Sequence, residues 1–274
     1  MTFRAAFAEI DITPTVLLPL AGMPNAPVAQ GTQWPLYGRV AVFDDGDRRI
    51  AIVIADLLAL DRQVVSALRE GARAAGIDRE CVLVSCTHTH RGPFTKPGMD
   101  VDRDDTYLKF ACARISKAIV SCSERLVPAE LVTGCVAAPG WAFNRRPVYR
   151  GGEVGTHGPE WVEEFERREG PADDELQVVL ARTLCGDEII GGLVNFACHP
   201  TALALDPVYS ADYPGPLTEA LAGRHGGIFA FLQGACGDVS PADMSAPGAA
   251  RSGFAFAHAM GASLAEASDR AILS

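Results

Sequence analysis

Basic clusters are missing from this chain. No run of lysines or arginines occurs, and acidic residues outnumber basic ones to give a formal net charge of −10. Nucleic acids and anionic membranes are held by clustered cations, so neither is an expected partner. Long apolar runs are missing too. The longest, Ile50 to Leu60, is broken by Asp56 and falls well short of the roughly 20 residues a membrane span needs. The N-terminus lacks a secretion signal, because Glu9 and Asp11 interrupt its apolar residues early. The chain therefore reads as cytoplasmic, or as a mature form trimmed ahead of Met1. No Cys-x-x-Cys pair occurs among the eight cysteines, which disfavours a structural zinc ribbon. Most cysteines sit inside apolar runs, where a reduced thiol behaves as a small hydrophobe. Internal repeats, low-complexity stretches and the Gly-x-Ser-x-Gly elbow of α/β-hydrolases are also absent.

What is present is a globular composition. The 274 residues are 48% apolar and 21% charged, enough for one large core. Strands are expected at Phe7 to Thr13, Leu36 to Phe43, Arg49 to Ala55, Cys81 to Ser85, Glu130 to Ala137, Leu176 to Leu184, Glu188 to Phe196 and Gly227 to Leu232. Their apolar alternation or short apolar runs end at turn formers. Helical spacing covers Asp61 to Ala75, Asp104 to Ser121, Pro214 to Ala222 and Gly253 to Ala267. Asp44-Asp-Gly-Asp47 and Cys185-Gly-Asp187 read as hairpin turns. Pro139 to Asp173 reads as a long irregular loop of the kind that carries function. Hairpins mixed with helices imply an α/β, mixed α+β fold: mixed sheets flanked by helices. Residues 1–274 read as a single catalytic domain.

Three stretches place reactive side chains where strands end. They are Ser85-Cys-Thr-His-Thr-His90-Arg-Gly-Pro93, Asn195-Phe-Ala-Cys-His199-Pro-Thr201 and Gln233-Gly-Ala-Cys-Gly-Asp238-Val-Ser240-Pro241. Such collections are how a scaffold builds a reactive pocket. His88 and His90 stand two apart, so in an extended segment both face one side. Two histidines from different strand ends, with a carboxylate and a water, are a usual ligand set for a catalytic zinc. His157, His225 and His258 read as surface or hydrogen-bonding residues. Cys86, Cys198 and Cys236 read as packing beside the site or as thiolate ligands.

Ser240 can act as nucleophile, as donor to an oxyanion, or as a cap. Asp238 can hold a histidine, bind metal or anchor its loop. Arg145, in a Pro-bounded loop, is either exposed or a clamp for a carbonyl or carboxylate. Asp56 is a buried hydrogen-bonding carboxylate or part of the site. Asp212 is most simply a helix N-cap.

Taken in order, Glu9-Ile-Asp-Ile-Thr-Pro14, Pro35-Leu-Tyr-Gly-Arg39, Ala55-Asp56-Leu57, Thr87-His-Thr-His90, Asn144-Arg145, Asn195 to Thr201, Ser210-Ala-Asp212 and Cys236-Gly-Asp-Val-Ser-Pro241 resemble the N-terminal catalytic domain of the neutral/alkaline, non-lysosomal ceramidase family. That family hydrolyses the amide of N-acylsphingosines with a catalytic zinc. The resemblance implies that His88 and His199 ligate Zn2+. It implies that His90 and Arg145 bind the substrate's polar head and stabilise the oxyanion, and that Ser240 is the serine the family treats as catalytic. The family completes its zinc with a glutamate and a tyrosine far downstream, in a region this chain does not have. Asp212, Asp238 and Asp56 are candidates for a substituted carboxylate, with Asp212 placed among the metal ligands and Asp238 with the catalytic groups. Arg91 stands where the family commonly has serine.

The leading expectation is a zinc-dependent hydrolase of a linear amide, acting on a small-molecule N-acyl compound. A metal-free serine hydrolase using Ser240 and a non-catalytic, ceramidase-like binding protein are the alternatives. Neither the natural substrate nor the oligomeric state is legible in the sequence.

Overall fold

The structure is a computed structural model that describes residues 2–185, 188–203, 205–245, 247 and 252–273. Three antiparallel strands open it: β1 (Arg4–Asp11), β2 (Tyr37–Asp44) and β3 (Arg49–Ala55). Helix α1 (Arg62–Gly71) then crosses over to β4 (Val82–Cys86), which pairs parallel with β3. Helix α2 (Asp105–Glu124) leads to β5 (Val127–Ala137). Short strands β6 (Phe143–Asn144), β7 (Pro147–Tyr149) and β8 (Phe165–Arg168) follow. Strands β9 (Glu175–Thr183) and β10 (Ile189–Phe196), helix α3 (Pro214–His225), β11 (Ile228–Gln233), β12 (Val239–Ser240) and α4 (Phe254–Leu273) complete the chain.

Eight strands form one sheet in the order β11-β10-β9-β5-β1-β2-β3-β4. The sheet folds back on itself, so that β11 lies against β3 and β4. Period-two alternation decides what each strand delivers to either face. On β1, Ala5 and Phe7 point between the two halves of the sheet, and Ala6 and Ala8 point outward. The space between the halves is filled largely by small residues: Ala5, Ala41, Ala129, Ala181 and Ala230, with Phe7 and Phe43 as its bulk. Small side chains let two sheet halves approach closely.

The outward faces carry the helices. Val64 and Leu68 of α1, with Tyr107, Ile115 and Ile119 of α2, cover β1 to β4. Leu217 and Leu221 of α3, with Met260 and Leu264 of α4, cover β9 to β11. Phe196, Phe229 and Phe231 are almost fully buried there, and truncating any of them to alanine costs about 3–5 kcal/mol. The mixed α+β fold expected from the sequence is the one observed.

Local chemistry sets the helix starts. Asp61 accepts the Val64 N–H at 2.9 Å, and Asp104 accepts that of Tyr107 at 2.7 Å, each meeting one orphan donor of a first turn. Two readings need correction. The N-cap of α3 is Tyr213 without a side-chain bond, so Asp212 is not that cap. The segment 139–173 is not wholly irregular, because β6 pairs with β12 and β7 with β8. Of the expected turn at Cys185-Gly-Asp187, Gly186 and Asp187 lie outside the described residues. Among those described, no helix is long and apolar enough to cross a membrane, and the eight cysteines are free.

Candidate metal centre

Four strand ends meet at one place. The parallel pair β3–β4 runs into residues 56–59 and 87–91, β10 runs into 197–201, and β11 into 234–238. The three histidine rings from these ends stack edge to face. Their centroids lie 5.2 Å apart for His88–His90, 4.9 Å for His88–His199 and 5.3 Å for His90–His199. One ring nitrogen from each falls within 4.8 Å of the others. His88 and His90 do not converge through an extended segment, as the sequence led us to expect. His88 has φ +67°, a left-handed turn held by its N–H to the Leu57 carbonyl at 3.0 Å. Non-glycine residues held there cluster at functional sites.

Each imidazole is oriented by a backbone carbonyl. Nδ1 of His88 donates to Leu58 O at 2.9 Å, that of His90 to Gly22 O at 3.0 Å, and that of His199 to Cys236 O at 2.7 Å. Carbonyls only accept, so each Nδ1 carries the hydrogen and each Nε2 keeps a lone pair. Nε2 of His90 is buried and has no partner. A buried unpaired acceptor is costly, and a cation shared with its neighbours would satisfy it. Carbonyl-anchored Nδ1 atoms are the usual support of metal-bound histidines. Burial first, then the neighbouring His199, His88 and Arg145, pushes the His90 pKa down to about 4. Burial first, then His88 and Arg145, also lowers that of His199. Neutral imidazoles are the form a metal takes.

Arg145 comes to this cluster from the β6–β12 ribbon, where Val239 pairs with Asn144 and Ser240 with Phe143. Its backbone N–H bonds Asp238 O at 2.8 Å. Its Nη2 donates to Gly237 O at 2.7 Å and its Nη1 to His157 Nε2 at 3.1 Å. The remaining Nε–H is buried without a partner, a donor with nothing yet to hold. Asp238 anchors the ribbon by accepting from Asn144 Nδ2 at 2.9 Å. Ser240 is buried, and its Oγ accepts the Ala242 N–H at 3.2 Å. Among the described residues no hydrogen bond joins Ser240 or Asp238 to a histidine.

The two remaining carboxylates have other work. Asp212, expected as a metal ligand, is fully buried and has φ +60°. Its oxygens accept the N–H groups of Ala202 (2.9 Å), Leu203 (3.0 Å) and Tyr213 (2.8 Å). It therefore ties the loop after His199 to the start of α3 and lies outside the histidine group. Asp56 is likewise buried, accepting from Tyr37 N at 2.9 Å and Arg39 Nη1 at 3.0 Å. The three cysteines of these loops stay protonated. Burial pushes the Cys86 thiol up to about 12 and raises those of Cys198 and Cys236, which fits packing and not thiolate ligation.

Two residues gain importance over their sequence reading. His90 joins the candidate metal cluster, which its spacing from His88 only hinted at. His157 grips Arg145, and no local signal in the sequence marks it. His225 has the surface hydrogen bond expected of it, to Asp269 at 2.7 Å. Beside the cluster, Gly22, Leu58, Phe94 and Met99 line an apolar recess of about 140 Å³.

No protein-family model matches the chain, and no curated protein does. Fold and histidines together define a class: a folded-over mixed sheet between two helical layers, with a candidate three-nitrogen metal site at its strand ends. Its architecture is that of the ceramidase N-terminal domain. Neutral ceramidase from Pseudomonas aeruginosa superposes with a TM-score of 0.80 at 19% identity, covering 99% of this chain and 45% of that one. A ceramidase complexed with C2 gives the same TM-score and identity, with 99% and 44% coverage. The chain thus spans less than half the length of the structures it matches.

Proposed function

We propose that this protein is a zinc-dependent hydrolase of a linear amide, with an N-acyl compound as substrate. One observation carries the reading: three histidines, each anchored through Nδ1 by a backbone carbonyl, bring one ring nitrogen apiece within 4.8 Å of the others, and Nε2 of His90 is buried and unpartnered. His88, His90 and His199 would hold the ion, the three-histidine set that leaves a fourth position open for water or substrate. When bound, zinc lowers the pKa of a water to about 7 and polarises a carbonyl. The fold likeness to neutral ceramidases supports a linear amide as the bond cleaved.

The chain's own groups do the rest. The free Nε–H of Arg145 donates to the carbonyl oxygen as negative charge develops on it, the place where a preorganised donor contributes most. His157 and Gly237 O hold the guanidinium in that orientation by occupying its two terminal nitrogens. Burial keeps His90 and His199 neutral and available as ligands. The apolar recess beside His88 and His90 receives the acyl side of the substrate. Ser240, bonded to its own turn, serves here as structural support for the ribbon that carries Arg145.

Elemental analysis of the purified protein, together with hydrolysis of an N-acyl amide panel, tests the reading. About one zinc per chain is expected, lost in both His88→Ala and His199→Ala together with chelator-sensitive turnover. Fresh wild type without zinc, or turnover and fluorophosphonate labelling that survive a chelator, would instead favour the serine mechanism.

A further inference from the structure

A cavity of about 570 Å³ contains none of the three histidines. It lies between the ends of β1 and β2, the loop before β2, helix α3 and the start of β11. Part of its wall is flat and apolar: Trp34, Tyr37 and Phe229. The Trp34 ring is fixed by stacking on Phe254, with centroids 5.0 Å apart and planes 16° from parallel. The rest of the wall is charged, contributed by Glu9, Arg39 and Glu219.

Arg39 is the unusual member. It is only 5% exposed, yet it lines a cavity. Its charge is already met twice, by Glu9 at 2.7 Å from Nε and by Asp56 at 3.0 Å from Nη1. Its guanidinium also covers the Tyr37 ring, 4.8 Å from the centroid. Its Nη2 makes no hydrogen bond among the described residues, so one donor group of a buried arginine is left for something else. Glu219 is exposed on α3 and forms no ion pair among the described residues. Glu9 and Glu219 outnumber Arg39 whether or not Asp56 holds a proton, and the field is negative. Burial first, then Glu9 and Asp11, also raises the pKa of the Tyr37 phenol.

We propose that this cavity is a second ligand site, built for a small organic ammonium with a flat apolar body and an oxygen acceptor beside the ammonium. The cation sits between Glu9 and Glu219, the acceptor takes the free Nη2 of Arg39, and the apolar body lies on Trp34. A simple anion is disfavoured, because the one arginine present is already neutralised.

Three probes separate the parts, added to the zinc-supplemented 274-residue chain and followed through the indole N–H resonance of Trp34. Phenylalaninamide carries ammonium, ring and carbonyl, phenethylamine lacks the carbonyl, and 3-phenylpropanoate carries the opposite charge. Phenylalaninamide should saturate the Trp34 shift, phenethylamine should bind several-fold more weakly, and 3-phenylpropanoate should not bind. Glu219→Gln should weaken phenylalaninamide about two- to fivefold, the range of a solvent-exposed charge pair, and Glu219→Lys should weaken it further. His88→Ala should leave binding unchanged, which separates this site from the metal centre. Saturation by none of the probes, equal binding of 3-phenylpropanoate, or loss of phenylalaninamide binding in His88→Ala would each overturn the proposal.

Discussion

Acidifying the metal-free protein should destabilise it in a window set largely by His90. The imidazole is neutral and half-buried when folded, with its Nε2 fully covered and its pKa lowered from 6.5 to about 4. A histidine depressed in this way contributes its full stability above the unfolded value, and that contribution is lost as pH falls from 6.5 towards 4. Two and a half units at 1.36 kcal/mol each come to about 3 kcal/mol, a large fraction of a typical domain's stability. His199 shifts in the same direction and adds to the loss.

Urea unfolding in the presence of chelator, at several pH values across that window, gives the stability curve. The same series on His90→Gln isolates the imidazole, because the carboxylate contributions are common to both proteins. Wild type should lose about 3 kcal/mol more than the variant between neutral pH and pH 4. Zinc should protect wild type and move the window to lower pH, since protons must then displace the metal. Two curves falling in parallel would refute the burial and tautomer assigned to His90.

Asp212→Ala should cost about 3 kcal/mol or more, because it orphans three buried backbone N–H groups. It should leave zinc content unchanged, and elemental analysis beside a melting curve checks both. Arg145→Ala should lower kcat about 100-fold on an amide substrate if its free Nε–H holds the oxyanion. His157→Ala should follow it in kcat with little change in KM, and His157→Gln, which still offers an acceptor, should recover most of the rate. Two glycines should respond oppositely to alanine. Gly223 on α3 meets nothing within 4 Å, so Gly223→Ala should raise stability by about 0.5–1 kcal/mol. A Cβ at Gly261 would lie 2.8 Å from Leu217 N and 2.9 Å from Tyr213 O, so Gly261→Ala should lower it by about 1–3 kcal/mol. Urea midpoints measure both.

By itself the sequence determined the elements and where the chemistry gathers. Strand β3 occupies Arg49–Ala55 as its apolar run implies, and Asp61 and Asp104 cap the helices their positions announce. These features depend on neighbours a few residues away, so a linear reading reaches them. The same is true of His88 and His199, each marked by the turn that follows its strand. Tertiary structure alone decided that the sheet folds over and brings the ends of β4, β10 and β11 together. It also decided that His90 joins the histidine cluster and that His157 reaches Arg145. The partners of Asp212 show why. An acid before a helix looks locally like a cap, but its oxygens are claimed by amides of Ala202 and Leu203, which only the return of the chain after His199 brings within reach.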